Sequence, residues 1–221
     1  MRLKAQKLLA RLEVLLPKYA WVPVAAVVVY NCLVYFVTSW VVDISRCHTI
    51  YTPLDHQIPF VPFFSLFYIL AFAHWAVSWI LIGRENKQFC YRYANANIIA
   101  KTICLAVFIV YPTVMQRPSI VSNDIFSFIV KVMYFFDDKA VNCLPSIHVL
   151  ASWIAMRAAF VMKKPGNAYK AVMAVITVLC MFSVVFTKQH YVIDIPAGIL
   201  AAEAGLAISK LLSDEKFLWV R

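Results

Sequence analysis

Between Ala20 and Val42 the chain carries no charged side chain, and none stands between His56 and Gly83. Runs of that length restrict the fold more than any other feature. A helix needs about 20 apolar residues to cross a hydrocarbon core of about 30 Å. Inside lipid a single run must close its own backbone hydrogen bonds, which a helix does. Composition agrees: 63% of the 221 residues are hydrophobic, 14% are charged and mean hydropathy is +0.75, values foreign to a soluble domain. The chain reads as an integral membrane protein with room for one polytopic domain and no separate soluble one.

Six spans are predicted, at 20–42, 60–82, 98–115, 145–162, 170–187 and 191–212. Ahead of them, Ala5, Leu8, Leu9, Leu12, Leu15 and Leu16 share one helical face, Arg2, Lys4, Lys7 and Arg11 lie largely opposite, and Pro17 ends the run. That pattern predicts an amphipathic helix lying in the interface. It is not read as a cleaved leader, because the apolar run that follows is too long for a signal h-region and ends at residues 40–43 without a small-residue cleavage site. Between spans three and four, Ser122, Asn123 and Asp124 can cap a second interfacial helix that carries Ile125, Ile129, Val132, Met133 and Phe136 on one side. The expected class is therefore an all-α membrane protein: an interfacial helix over 1–19, a six-helix catalytic domain over 20–212 and a cytoplasmic tail over 213–221.

The formal net charge of +10 does not indicate nucleic acid, because no basic and aromatic module remains outside the apolar runs. The basic residues are instead distributed by side. Arg2, Lys4, Lys7, Arg11 and Lys18 precede span one; Arg84, Lys87 and Arg92 follow span two; Lys163, Lys164 and Lys170 follow span four; Lys210, Lys216 and Arg221 close the chain. The other side holds only Arg46, Arg117, Lys131, Lys139 and Lys188. By the positive-inside rule both termini are cytoplasmic, in a cell membrane of bacterial type. The six cysteines show no metal-type pairing, although Cys47 and Cys143 fall on the same outer side and a disulfide between them would brace that end.

With this orientation Arg117, Ser146, His148, Lys188, His190 and Asp194 all fall at the outer ends of their spans. If span six starts as a helix near His190, then His190 and Asp194 lie four residues apart on one face, and the carboxylate can orient the imidazole. Ser146 follows Pro145 at the start of a helix, where free N–H groups favour an anion. Arg117 and Lys188 would add positive charge to a bound phosphate. An oriented His190 is then a nucleophile toward phosphorus, His148 an acid for the departing alkoxide, and the scheme uses no metal and no cofactor. Arg157 and Glu203 each lie twelve residues into their spans, roughly 18 Å deep, and are expected to pair.

These segments resemble the signatures of the type 2 phosphatidic acid phosphatase superfamily, whose six-helix membrane members carry three of them. The second, Pro-Ser-any-His, stands intact as Pro145, Ser146, Ile147 and His148; the third ends in His190 and Asp194. Two basic positions depart from the family pattern: the first segment keeps Arg117 and Pro118 but has Val110 for its lysine, and the third has Val184 for its arginine after Ser183. The resemblance implies that His190 is the phosphorylated nucleophile, Asp194 its orienting group, His148 the acid, and Ser146 and Arg117 phosphate ligands. Lys188 is the expected substitute for the missing basic residues.

The expected activity is that of a lipid-phosphate phosphohydrolase at the outer leaflet, with a lipid phosphate and the surrounding membrane lipids as partners. Two other readings stay open at this point: a headgroup phosphotransferase of the sphingolipid-synthase kind using the same histidines, and a non-catalytic lipid carrier or scaffold. Residues 55–64, rich in proline and phenylalanine, are a candidate lipid or acceptor contact. The identity of the lipid and the oligomeric state are not legible.

Overall fold

The computed structural model describes residues 13–212. The helix expected over 1–16 lies outside them apart from helical residues 13–15, and so does the tail over 213–221. Eight α-helices follow in order: α1 Lys18–Val41, α2 Pro53–Gln57, α3 Ser65–Glu85, α4 Lys87–Val110, α5 Ile125–Phe136, α6 Ile147–Val161, α7 Asn167–Phe186 and α8 Asp194–Leu211. No strand forms among the described residues; two isolated bridges, His48 with Thr113 and Val114 with Val141, tie loops together.

Four segments are long and apolar enough to cross a membrane: Lys18–Val41, Pro62–Glu85, Lys87–Val110 and Asn167–Phe186. Helix α6 is shorter at 15 residues, and α8 carries Asp194, Glu203 and Lys210 within its 18. Both are held from the inside of the bundle. Gly205 of α8 sits so close to α4 that a Cβ there would overlap the Ala96 carbonyl oxygen, and a Cβ on Gly198 would lie 2.7 Å from that of Ser146. Small residues at those two points let helix backbones touch, which is how apolar helices gain packing where no hydrophobic drive separates protein from lipid.

The third apolar span departs from its expected bounds. The helix covers Lys87–Val110, where hydropathy placed 98–115. Asn86 starts it by accepting the Phe89 N–H at 2.8 Å, and its first half buries Asn95 and Asn97. These polar residues lower the local hydropathy while facing protein, so hydropathy and helix ends part company. At the other end the chain leaves the helix at Tyr111, and His48 pairs with the following loop, its N–H on Pro112 O at 2.8 Å and its carbonyl receiving the Val114 N–H at 3.1 Å.

Helix α5 forms as expected, with Asp124 as its cap: one carboxylate oxygen accepts the N–H groups of Phe126 and Ser127 at 2.9 and 3.0 Å, and the other the Ser127 hydroxyl at 2.6 Å. Together with the Ser122 hydroxyl, which donates to that second oxygen at 2.6 Å, these donors hold the Asp124 carboxyl well below the usual carboxylate range. Ser127, Val130 and Met133 face the bundle, while Ile125, Phe128, Phe135 and Phe136 are exposed. Arg157 and Glu203 do meet, Nε to Oε1 at 3.1 Å, and Trp153 donates to the same oxygen at 2.7 Å. Cys47 and Cys143 are both free thiols: the first turns to Asp43 O at 3.5 Å and the second to Ala140 O at 3.3 Å, so no bridge braces this end.

Candidate active site

The end of α7 sets the position of His190. Helix α7 stops at Phe186, and Lys188 takes the left-handed conformation (φ 52°) that usually falls to glycine after a helix. The turn lets the Val184 carbonyl accept two N–H groups, from Gln189 at 2.9 Å and His190 at 3.0 Å. His190 therefore lies in the turn between α7 and α8, not on a helix as the four-residue spacing suggested; α8 begins only at Asp194. The pairing survives for a different reason. The Asp194 carboxylate folds back over the turn, accepting the Tyr191 N–H at 2.9 Å and lying 3.1 Å from His190 Nδ1.

His190 Nδ1 also lies 2.9 Å from the Cys143 carbonyl oxygen. A carbonyl can only accept, so this nitrogen carries the proton and shares it between Cys143 and Asp194. The lone pair of the neutral ring is thereby left on Nε2. Asp194 is fully buried and His190 nearly so, at 7% exposure. The backbone links the two segments as well, through the Ser146 N–H on the Asp194 carbonyl at 3.2 Å.

Ser146 caps α6, accepting the Val149 N–H at 3.4 Å, and so puts His148 in the helix's first turn. The His148 ring centroid lies 6.0 Å from that of His190. Its other neighbours are aromatic: Tyr68 at 4.4 Å, Trp75 at 5.4 Å and Phe72 at 5.9 Å, all from α3. Trp75 is itself fixed by donating to Ser152 at 2.9 Å. The two histidine rings thus meet edge to face, with side chains of α3 enclosing His148.

The two cations behave differently from each other. The Arg117 guanidinium binds the Asp137 carboxylate and carbonyl, donates to Gln189 Oε1 at 2.7 Å and lies 4.3 Å over the Tyr134 ring. Its Nε and the Gln189 amide nitrogen are both buried, with no acceptor among the described residues. Unmet donors of this kind suit an anionic oxygen. Gln189 had no signal in the sequence beyond standing next to His190.

Lys188 points the other way. Its amine donates to the carbonyls of Asp55 at 3.2 Å and Ile58 at 2.7 Å, and burial pulls it below the ordinary lysine value while Asp55 opposes that shift. This contact is half of a latch. The Asp55 carboxylate, 6% exposed, accepts the Thr52 N–H and hydroxyl on one oxygen at 2.8 and 2.6 Å, and the Val192 N–H on the other at 2.8 Å. The segment expected as a lipid contact is therefore pinned to the loop of His190, and Val61 adds an N–H to Phe186 O at 2.9 Å.

Against known families, a model described as the PAP2 superfamily matches residues 44–208. The chain belongs to the PAP2 superfamily. No curated protein and no solved structure matches it. Within the PAP2 framework the two departures from the signature have different surroundings. Val184 is fully buried, packed with Tyr68, Met133, Val149 and Val185, so an apolar side chain suits the site in place of arginine. Val110, at the last turn of α4, is 82% exposed. A PAP2 lysine at that position would start from the surface of the bundle. Among the described residues no cluster of His, Cys, Asp and Glu is arranged to hold a metal.

Proposed function

We propose that this chain is a membrane lipid-phosphate phosphohydrolase that works through a phosphohistidine on His190. The observation that carries the reading is the Nδ1 proton held between the Cys143 carbonyl and Asp194, which leaves Nε2 of a neutral imidazole free to attack. PAP2 membership supports the phosphatase class and a lipid phosphate as substrate.

In the first step Nε2 of His190 forms a bond to phosphorus as the ester P–O bond breaks, and protonated His148 gives its proton to the departing alkoxide. In the second, neutral His148 takes a proton from water, whose oxygen attacks phosphorus and breaks the P–N bond. Inorganic phosphate leaves. Asp194 holds the positive charge that His190 gains on phosphorylation, a differential stabilisation of the kind that lowers barriers. Phosphate oxygens are met by the uncapped N–H groups at the start of α6 beside Ser146, by Arg117 Nε and by the Gln189 amide. Lys188 belongs to this reading through the loop it steadies.

In this reading the chain crosses the membrane six times, α7 and α8 being the last two spans, with both termini in the cytoplasm, the histidines at the outer leaflet and α5 along the outer interface; four segments long and apolar enough to cross support it. The buried Val184 favours a second reading, transfer of a phospho headgroup to another alcohol, since it removes one cation that would hold a free phosphate. Product analysis separates the two. Purified protein given a labelled lipid phosphate should release inorganic phosphate; a labelled phosphodiester formed only with an added alcohol would establish transfer, and neither product from a panel of lipid phosphates would leave a non-catalytic carrier.

A further inference from the structure

At the end of the bundle opposite the histidines, a cavity of about 470 Å³ opens between the last turn of α3 and the connection from α6 to α7. That volume lies within the range of small-molecule sites. Met162, in its wall, stands fourteen residues along the chain from His148, so the two sites are roughly 20 Å apart at 1.5 Å per helical residue. No residue is shared between them.

The wall carries charge in a specific arrangement. Lys164 donates its amine to the carbonyls of Arg84 and Glu85, capping α3 and folding the loop over the cavity. Arg84 also lines the cavity, is exposed, and its guanidinium has no hydrogen bond or ion pair among the described residues. Helix α7 starts at the rim behind Gly166, without a side-chain cap, so the positive end of a 20-residue helix is open there. Glu85 adds the opposite sign. Its Oε1 accepts the Lys163 N–H at 3.0 Å, while its Oε2 is buried and lacks any donor among the described residues. Leu81 and Met162 supply apolar wall, and Val172, one turn beyond Tyr169, is half exposed.

A free cation and a helix N-terminus beside an unmet carboxylate oxygen are complementary to a phosphate joined to an N–H-bearing ammonium. We propose that this cavity binds the headgroup of an aminophospholipid from the leaflet opposite the histidines. Its phosphodiester meets Arg84 and the start of α7, its ammonium donates to Glu85 Oε2, and its acyl chains leave past Val172. A quaternary ammonium has no N–H to give, so choline lipids satisfy only the phosphate half. A glycerol headgroup donates hydroxyls but brings no charge to Glu85.

The test uses the full chain carrying His190→Ala, which blocks turnover, in neutral detergent. Thermal unfolding is followed while dihexanoyl phosphatidylethanolamine, phosphatidylcholine, phosphatidylglycerol or inorganic phosphate is titrated in. A ligand that binds only the folded state raises the midpoint in a saturable way. The ethanolamine lipid should saturate at least tenfold below the choline and glycerol lipids, and inorganic phosphate should produce no comparable shift. Glu85→Gln should erase the preference for ethanolamine over choline, and Arg84→Gln should weaken all three lipids about tenfold or more. Equal titrations for ethanolamine and choline lipids, a preference that survives Glu85→Gln, or an equal shift from inorganic phosphate would each overturn the proposal. Should Arg84→Gln not fold, the Glu85→Gln comparison decides alone.

Discussion

Asp55 is the residue whose removal tests how the catalytic loop is held. Its carboxylate closes a capping box on Thr52 with one oxygen and holds the Val192 N–H with the other, two residues past His190. Asp55→Ala removes the cap, worth about 1 kcal/mol, and leaves a largely buried N–H without a partner, worth about 1–3 kcal/mol. The sum of roughly 2–4 kcal/mol corresponds to a fall in Tm of about 5–15 °C for a chain of this size. Activity should fall further than stability explains, because a displacement of about 1 Å in a reacting group costs about 100-fold. Asp55→Asn separates the two roles: its Oδ1 still accepts from Val192, while its NH₂ faces the Thr52 donor. It should lose about 1 kcal/mol and keep most of its kcat. Turnover of a soluble short-chain lipid phosphate and thermal unfolding in detergent measure both. Wild-type kcat in Asp55→Ala, or an equal loss of kcat in the asparagine variant, would refute the latch.

Three further substitutions address how the helices bring the site together. Gly198→Ala drives a Cβ to 2.7 Å from the Ser146 carbonyl, and that oxygen is backbone, so α6 and α8 must separate; a stability loss of about 1–3 kcal/mol and a clear drop in kcat are expected, and an unchanged kcat would show that the contact is slack. Arg157→Met and Glu203→Gln, singly and together, measure the ion pair by a thermal cycle. Both side chains are more than one-third exposed, so the coupling is discounted to about 0.5 kcal/mol; the glutamine keeps an acceptor for Trp153, and additive losses would mean that the charges do not couple.

Much of the layout was legible because apolar run length and cap residues speak locally. Asp124 and Ser146 each start a helix by accepting backbone N–H groups. What lay beyond reach depended on partners distant in sequence. The bond from the Thr52 N–H to Asp55 is local, spanning three residues. That the same carboxylate also reaches Val192 is a fact of folding across 137 residues. The spacing of His190 and Asp194 pointed to the right contact through the wrong geometry, since an aspartate at a helix start can fold back onto the preceding turn as well as along a helix. Hydropathy averaged over a span also hides Lys101, a lysine in α4 that is 3% exposed, with no hydrogen bond or ion pair among the described residues. The Cys47–Cys143 bridge fails because each thiol is already turned onto a carbonyl in its own loop.

In the proposed reaction Nε2 of His190 becomes phosphorylated. A lipid phosphate carrying ³²P in its phosphate group, mixed with purified protein and quenched in alkali within milliseconds, tests it directly. Label should appear on the peptide containing His190, stable to base and lost in acid, and be absent from His190→Ala. Labelled inorganic phosphate released by His190→Ala at the wild-type rate, or label retained on any other residue, would contradict the account.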